Sequence, residues 1–232
     1  MNRMIGAAAP NDTPPPEVLR QIAALAIEPE RPLIICDADE VLLHFLKAFE
    51  AFLEEQDLVL NLTSYALTGN ILTRTERQAI EPAAVGRLIE DFFHQRTAQI
   101  PAVDGAAQAL AALAGRCRIV IVTNVPPAHR DARIAGLRSH DMDYPVIVNQ
   151  GVKGAVVRAL ANDMRAPVLF LDDAPPHLVS VAAAAPHVHR IHFIANARLA
   201  AVLGPLAESH YRARGWPQTH RYIQNHLDEH GY

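Results

Sequence analysis

The chain has 232 residues, of which half are apolar and a fifth are charged, so it can bury the core of one large domain or of a core domain with an insert. Its formal net charge of −4 argues against nucleic acid or an acidic membrane surface as the main partner. No apolar run approaches the length of a membrane span, and the first residues lack the basic-then-apolar order of a signal peptide. We therefore expect a cytoplasmic protein, with Cys36 and Cys117 as reduced, buried thiols.

Short apolar runs without polar alternation recur along the chain and predict strands that are covered on both faces. Residues 1–16, which end in three prolines, predict a flexible leader, and helical spacing follows at 17–27. The runs that predict strands lie at 33–36, 118–122, 145–148, 168–171 and 188–194. Alanine- and leucine-rich segments between them predict helices at 105–114, 154–162 and 177–185. The last part of the chain predicts a final helix that packs Trp216, Tyr222 and Ile223 on the core.

Alternating strands and helices predict an α/β fold, which is a doubly wound, mostly parallel sheet of at least five strands with helices on both faces. About eighty residues separate the first strand from the second, far more than one crossover needs. We interpret residues 45–99 as a small, mostly helical cap, with long helices at 41–56 and 81–99 and an irregular stretch between them. Residues 1–44 and 100–232 then form the core domain, and Asp104 is the expected N-cap of the helix after the cap.

Polar residues follow four of the predicted strands. Asp37 and Asp39 follow the first strand, Thr123 and Asn124 the second, Lys153 the third, and Asp172 and Asp173 the fourth. Each could be structural alone, but the carboxyl ends of parallel strands meet at one edge of the sheet, where ligands bind. Carboxylates from two strands can share one Mg²⁺, which prefers oxygen ligands, and the cation would relieve their repulsion. Such an arrangement is typical of phosphoryl transfer, which needs positioning and charge neutralisation.

The ordered set DADEV, VTN, a lysine before a helix, and LDD after a strand resembles the haloacid dehalogenase-like hydrolase superfamily. The resemblance covers about residues 31 to 195 and points to the phosphatase branch, because true dehalogenases lack the second aspartate of the first motif. It implies that Asp37 is the nucleophile and that Asp39 is the general acid/base. It also implies that the backbone carbonyl of Asp39 coordinates the metal. It further implies that Thr123, with Asn124 beside it, and Lys153 bind phosphate, and that Asp172 and Asp173 complete the Mg²⁺ site.

Glu40 departs from the family pattern, in which glycine usually follows the second aspartate. Glycine allows backbone angles that glutamate resists, so we expect the loop to be shaped differently. The residue could be peripheral and structural, it could be a solvated loop acid, or it could contact substrate. In the cap, the polar stretch TSYALTGNI suits a loop over a small polar ligand, although a plain turn is as compatible with it. The possible substrate contacts are Glu40, Ser64, Tyr65, Thr68 and Asn70.

The sequence thus predicts a Mg²⁺-dependent phosphatase that acts on a small phosphorylated metabolite as a monomer or homodimer. One alternative is a binding or regulatory protein of the same fold with little turnover, because Glu40 disturbs the first motif. Another is a receiver-like signalling module, but receivers carry their acidic pair after the first strand and have no eighty-residue insert.

Overall fold

A computed structural model describes residues 13–232. The described helices are α1 (Pro16–Ala23), α2 (Phe45–Glu54), α3 (Pro82–Arg96), α4 (Ala106–Ala114), α5 (Arg130–Ser139), α6 (Gly154–Ala161), α7 (Pro175–Ala184), α8 (Ala197–Val202) and α9 (Trp216–Glu229), with short 3₁₀ turns at Thr97–Gln99 and Pro127–His129. The strands are β1 (Leu33–Cys36), β2 (Leu58–Leu60), β3 (Ile71–Thr73), β4 (Arg118–Thr123), β5 (Val146–Val148), β6 (Val168–Asp172), β7 (His189–Phe193) and β8 (Tyr211–Ala213). Within this part of the chain, no helix is both long and apolar enough to cross a membrane.

Six parallel strands form the main sheet in the order β5-β4-β1-β6-β7-β8. The chain leaves β1 for β4 and β5 on one side, then returns to place β6 on the other side of β1. This reversal beside β1 creates a crevice at the carboxyl ends of β1, β4 and β6, where open parallel sheets bind ligands. The predicted fold class is therefore confirmed.

Successive side chains of each strand enter opposite layers of core, which explains the unbroken apolar runs. In β1, Leu33 and Ile35 pack with α1, α6 and α7. Ile34 and Cys36 face the other layer, which contains α4 and α9. Trp216 is fully buried there at the start of α9, and its indole donates to the Val41 carbonyl at 2.8 Å. The C-terminal helix therefore helps to hold the loop that follows β1.

The long segment between β1 and β4 contains α2, α3 and a small antiparallel pair, β2–β3. Phenylalanine rings join the two helices, for example Phe45 and Phe92 with centroids 5.3 Å apart in edge-on contact. This buried aromatic contact orients α3 over α2. Sequence periodicity predicts the helices but misses the β2–β3 pair, whose strands have three residues each.

Several predicted boundaries were wrong for local reasons. The helix predicted from residue 41 begins at Phe45, because residues 38–43 form a tight loop in which Leu42 and Leu43 both donate to the Ala38 carbonyl. Asp104 is not the N-cap of α4: Gly105 takes that position with a φ of 79°, in the left-handed region that glycine adopts freely.

At the N-terminal end of the chain, most of the predicted leader, residues 1–16, lies outside the described residues. Its last member, Pro16, is the first residue of α1, where proline's missing N–H has no consequence.

Candidate active site

Three strand ends bring the predicted chemical residues together in the crevice beside β1. Asp37 directly follows β1, and its backbone N–H extends the ladder to the Leu171 carbonyl at 2.9 Å. Thr123 and Asp172 are the last residues of β4 and β6, the two neighbours of β1. All three side chains are buried. Their convergence follows directly from the parallel register of the three strands.

Lys153 connects two of these strands by ion pairs. It precedes α6, and its ammonium lies 2.6 Å from Asp37 Oδ1 and 2.8 Å from Asp172 Oδ2. Burial disfavours the ammonium, but Asp172 and Asp37 outweigh it and raise the pKa of Lys153 to about 12. Gly154 fixes this position, because a Cβ there would lie 2.4 Å from the Ser180 carbonyl oxygen of α7. Lys153 is therefore a rigid, permanent cation in contact with both carboxylates.

Asp37, Asp172 and Asp173 form a buried acidic triad whose nearest oxygens lie within 4.8 Å of one another. Burial is the largest cause that raises the pKa of Asp173 well above its usual value, and the negative charges of Asp172 and Asp37 raise it further. Lys153 supplies one positive charge to three carboxylates, so a further cation would stabilise their ionised forms. The donors are hard oxygen atoms, which fit Mg²⁺. The residues present thus fit the predicted metal.

Asp39 forms an ion pair with a residue that the sequence does not reveal as its partner. Arg133 of α5 donates from Nη2 to Asp39 Oδ2 at 3.0 Å and lies 2.8 Å from Oδ1. The Arg133 side chain is fully buried, and its guanidinium lies 5.9 Å from the centre of the Phe93 ring. Burial raises the pKa of Asp39, while the charge of Arg133 acts in the opposite direction. Arg133 thus orients the carboxylate that the resemblance assigns to proton transfer.

Thr123 and Asn124 lie on the β4 side of the site. Asn124 uses its side-chain amide to donate to the Gly151 carbonyl at 2.8 Å and accepts from Asn149 at 3.1 Å. It therefore ties the loop before Lys153 to the end of β4. The predicted phosphate contact of Asn124 stays a prediction, and its observed contacts are those of a loop support.

The described fold is similar to several solved structures. Relatives in fold include a conserved haloacid dehalogenase-like protein of unknown function from Agrobacterium tumefaciens (TM-score 0.57, 14% identity, covering 84% of this chain and 98% of that chain). A Bacillus subtilis protein assigned to the same hydrolases and bound to magnesium has a TM-score of 0.56 at 13% identity, with 84% and 99% coverage. A family hydrolase from Deinococcus radiodurans with bound phosphate and sodium has a TM-score of 0.55 at 14% identity, with 88% and 97% coverage.

The chain has the haloacid dehalogenase-like fold. The fold implied by the sequence resemblance is therefore confirmed. No protein-family model and no curated protein matches the chain. At these identities the likeness establishes the architecture alone.

In this haloacid dehalogenase-like fold, the segment from α2 to α3 closes one side of a cavity of about 500 Å³ above the acidic triad. Tyr65 and Thr68, two of the predicted substrate contacts, line it. Burial of the hydroxyl and the nearby carboxylates of Asp173 and Asp172 raise the pKa of Tyr65, so its phenol remains a hydrogen-bond donor.

The other two predicted cap contacts support the loop from within. Asn70 is buried and donates to Ser64 Oγ at 3.0 Å and to the Ala66 carbonyl at 2.6 Å. These bonds hold the loop that carries Tyr65 and Thr68. In the observed arrangement Ser64 and Asn70 shape the cavity wall through that loop.

His177 of α7 is a cavity residue that the sequence analysis missed. Burial, followed by the charge of Lys153, lowers the pKa of His177 to about 3, so the imidazole is neutral. Its Nε2 lies 3.4 Å from the Asn124 amide nitrogen. The sequence signal that could have identified His177 is its position in the first turn of the helix that follows the LDD motif.

Glu40 is not a solvated loop acid, and the expected difference in loop shape stays a prediction. Its φ of 59° lies in the left-handed region, which glycine adopts freely and which costs other residues roughly 1–2 kcal/mol. The side chain is 3% exposed, and Oε1 accepts from the Leu46 N–H at 2.6 Å in the first turn of α2. Within the described residues Oε2 has no hydrogen-bond partner. Glu40 therefore accepts a hydrogen bond from the start of α2, and it also borders the cavity.

Glu40→Gln is expected to make the metal-free protein more stable at neutral pH. Burial raises the pKa of Glu40 from 4.5 to about 7, so the wild type loses stability as pH rises between these values, by about 3 kcal/mol in total. Glutamine keeps an acceptor for Leu46 and cannot ionise. Urea unfolding in EDTA should give a stability difference near zero at pH 4.5 that grows through pH 7. Glu54→Gln, at an exposed position of α2, is the matched control, and a pH-independent difference for Glu40→Gln would contradict the assignment.

Proposed function

We propose that the protein is a Mg²⁺-dependent phosphatase that hydrolyses a small phosphomonoester through an aspartyl phosphate on Asp37. The observation that carries the proposal is the contact of Lys153 with both Asp37 and Asp172, in a crevice where the three triad carboxylates converge. A lysine that holds a buried carboxylate in place leaves that carboxylate oriented for attack and offers a positive charge to phosphoryl oxygens.

The reaction divides into two displacements at phosphorus. In the first, an Asp37 carboxylate oxygen bonds to phosphorus while the ester P–O bond breaks, and Asp39 gives a proton to the leaving oxygen. In the second, Asp39 takes a proton from water, the water oxygen bonds to phosphorus, and the bond to Asp37 breaks to release phosphate. Arg133 keeps Asp39 oriented through both steps.

Asp37, Asp172 and Asp173, with the backbone carbonyl of Asp39, would hold the metal. When bound, Mg²⁺ supplies positive charge that neutralises the carboxylates and the phosphoryl oxygens. The phosphoryl group would also meet the Thr123 hydroxyl and Lys153. The magnesium in the Bacillus subtilis relative and the phosphate in the Deinococcus radiodurans relative are consistent with these two roles.

A broad panel of phosphomonoesters tests the proposal. Purified protein with Mg²⁺ should hydrolyse at least one class of ester, EDTA should abolish the activity, and Mg²⁺ should restore it. Failure with every ester would overturn the proposal. Ordinary Mg²⁺ affinity with negligible turnover that rises in Glu40→Gly would instead favour the binding or regulatory alternative.

A further inference from the structure

The cavity above the acidic triad has two chemically different ends. Asp37, Asp39 and Asp173 line the inner end, where the phosphoryl group would lie. The wall beyond them is mostly apolar and comes from α2, α3, α8 and the loop between β2 and β3. The principal apolar contributors are Phe45, Leu62, Val85, Ile89, Phe93 and Leu199. A leaving group that extends from the phosphorus toward the insert therefore meets hydrocarbon.

The same wall offers no positive charge to a second anionic group. Among the described residues that line it, none is lysine or arginine, and Glu40 adds a carboxylate. Arg198, next to Leu199, is turned to Glu50 in an ion pair and donates to the Leu60 carbonyl at 3.2 Å. A leaving group with its own carboxylate or phosphate would thus be desolvated without a cation, and the hydroxyls of Tyr65 and Thr68 would be uncharged partners only.

We propose that the substrate's leaving group is an uncharged apolar alcohol, aliphatic or aromatic, so that the protein prefers phosphate monoesters of apolar alcohols to those of sugars or hydroxy acids. This inference rests on the proposed phosphatase function and names its substrate class. The wall binds such a group because the apolar surfaces of both the ligand and the cavity are removed from water. Each buried methylene contributes about a fourfold factor in affinity. Beyond the hydroxyls of Tyr65 and Thr68, the hydroxyls of a sugar would exchange water for the rings and branched side chains of Phe45, Phe93 and Ile89.

A homologous series of n-alkyl phosphates, from ethyl to octyl, measures this wall directly. The leaving alcohols are chemically similar, so differences in kcat/KM report the apolar contacts. We expect kcat/KM with Mg²⁺ to rise by about fourfold per methylene until the cavity is filled, then to level off. Glucose 6-phosphate and phosphoglycolate should react no faster than ethyl phosphate. A flat alkyl series, or a preference for either polar ester, would overturn the inference.

A variant that narrows the cavity locates the effect. Ala66 lines the cavity from an exposed loop position, so Ala66→Trp adds bulk without entering the core. The ratio of octyl to ethyl phosphate turnover should fall at least tenfold in this variant. Ala83→Trp, at an exposed position of α3 outside the lining, is the matched control and should keep the wild-type ratio. Equal ratios in the two variants would contradict the proposal.

Binding of n-alkylphosphonates separates this inference from the proposed function, because their C–P bond is not hydrolysed. Calorimetric titration in Mg²⁺ should give an affinity that rises with chain length as kcat/KM does. Such a rise without turnover of any ester would overturn the phosphatase function and leave the apolar site established. Turnover without chain-length dependence in either assay would overturn the apolar site and leave the phosphatase function.

Discussion

Asp37→Asn is expected to lower kcat/KM for the best phosphate ester by at least about 10⁴-fold, because the amide cannot serve as the attacking carboxylate. Asparagine has the same shape as aspartate, and its carbonyl oxygen can still accept the Ala38 N–H that bonds Asp37 Oδ1 at 2.7 Å. The fold should therefore survive. Initial rates with Mg²⁺, together with the circular dichroism melting temperature, measure the two effects separately.

The matched control for this prediction is Asp163→Asn, at an exposed position after α6, which should keep wild-type rates. Acid quenching during turnover should also trap a labelled phosphoryl group on the wild type and none on Asp37→Asn. Activity of Asp37→Asn within tenfold of wild type would exclude an aspartyl phosphate at this position.

The core strands and most of the site could be predicted because their causes are local in sequence. Leu33–Cys36 is buried on both faces, so every position is apolar, and the polar residue that follows must mark the strand end. Parallel pairing then places Asp37 and Asp172 on neighbouring strand ends whatever the loops do. The chemistry of the crevice follows from topology, which the alternation of strands and helices already specifies.

The unpredicted features depend on contacts between distant residues. β8 has only three residues, without the apolar run that predicts the other strands of the sheet. It is a strand because its backbone pairs with β7. Arg133 is 94 residues from Asp39, and a helix that begins RDAR gives no sign that one arginine is fully buried. Glu40 shows the same limit: its sequence context leaves a structural role, exposure and substrate contact open, while the start of α2 and the packing around it determine its burial.

Arg133→Met is expected to lower the free energy of unfolding by about 3–5 kcal/mol, because it leaves Asp39 partly buried without its cation. The variant should also lose kcat more than it raises KM, since Arg133 acts through the orientation of Asp39. Arg133→Lys should recover part of kcat by restoring the charge, although a flexible ammonium orients the carboxylate less firmly than the planar guanidinium, whose Nη2 contacts both oxygens. Urea unfolding and steady-state kinetics with Mg²⁺ measure these effects.

A second ion pair on the same helix tests whether burial is the cause. Arg138 of α5 lies 2.8 Å from Asp143, the same distance as Arg133 from Asp39, but its side chain is 61% exposed while that of Arg133 is 0% exposed. Arg138→Met should therefore cost less than about 1 kcal/mol, because water already solvates both charges. In Arg133→Met/Asp39→Asn, which also removes the stranded carboxylate, the total loss should be smaller than the sum of the single losses. Equal costs for the two arginines, or strict additivity in the double variant, would mean that Arg133 stabilises the helix by packing and that Asp39 is oriented without it.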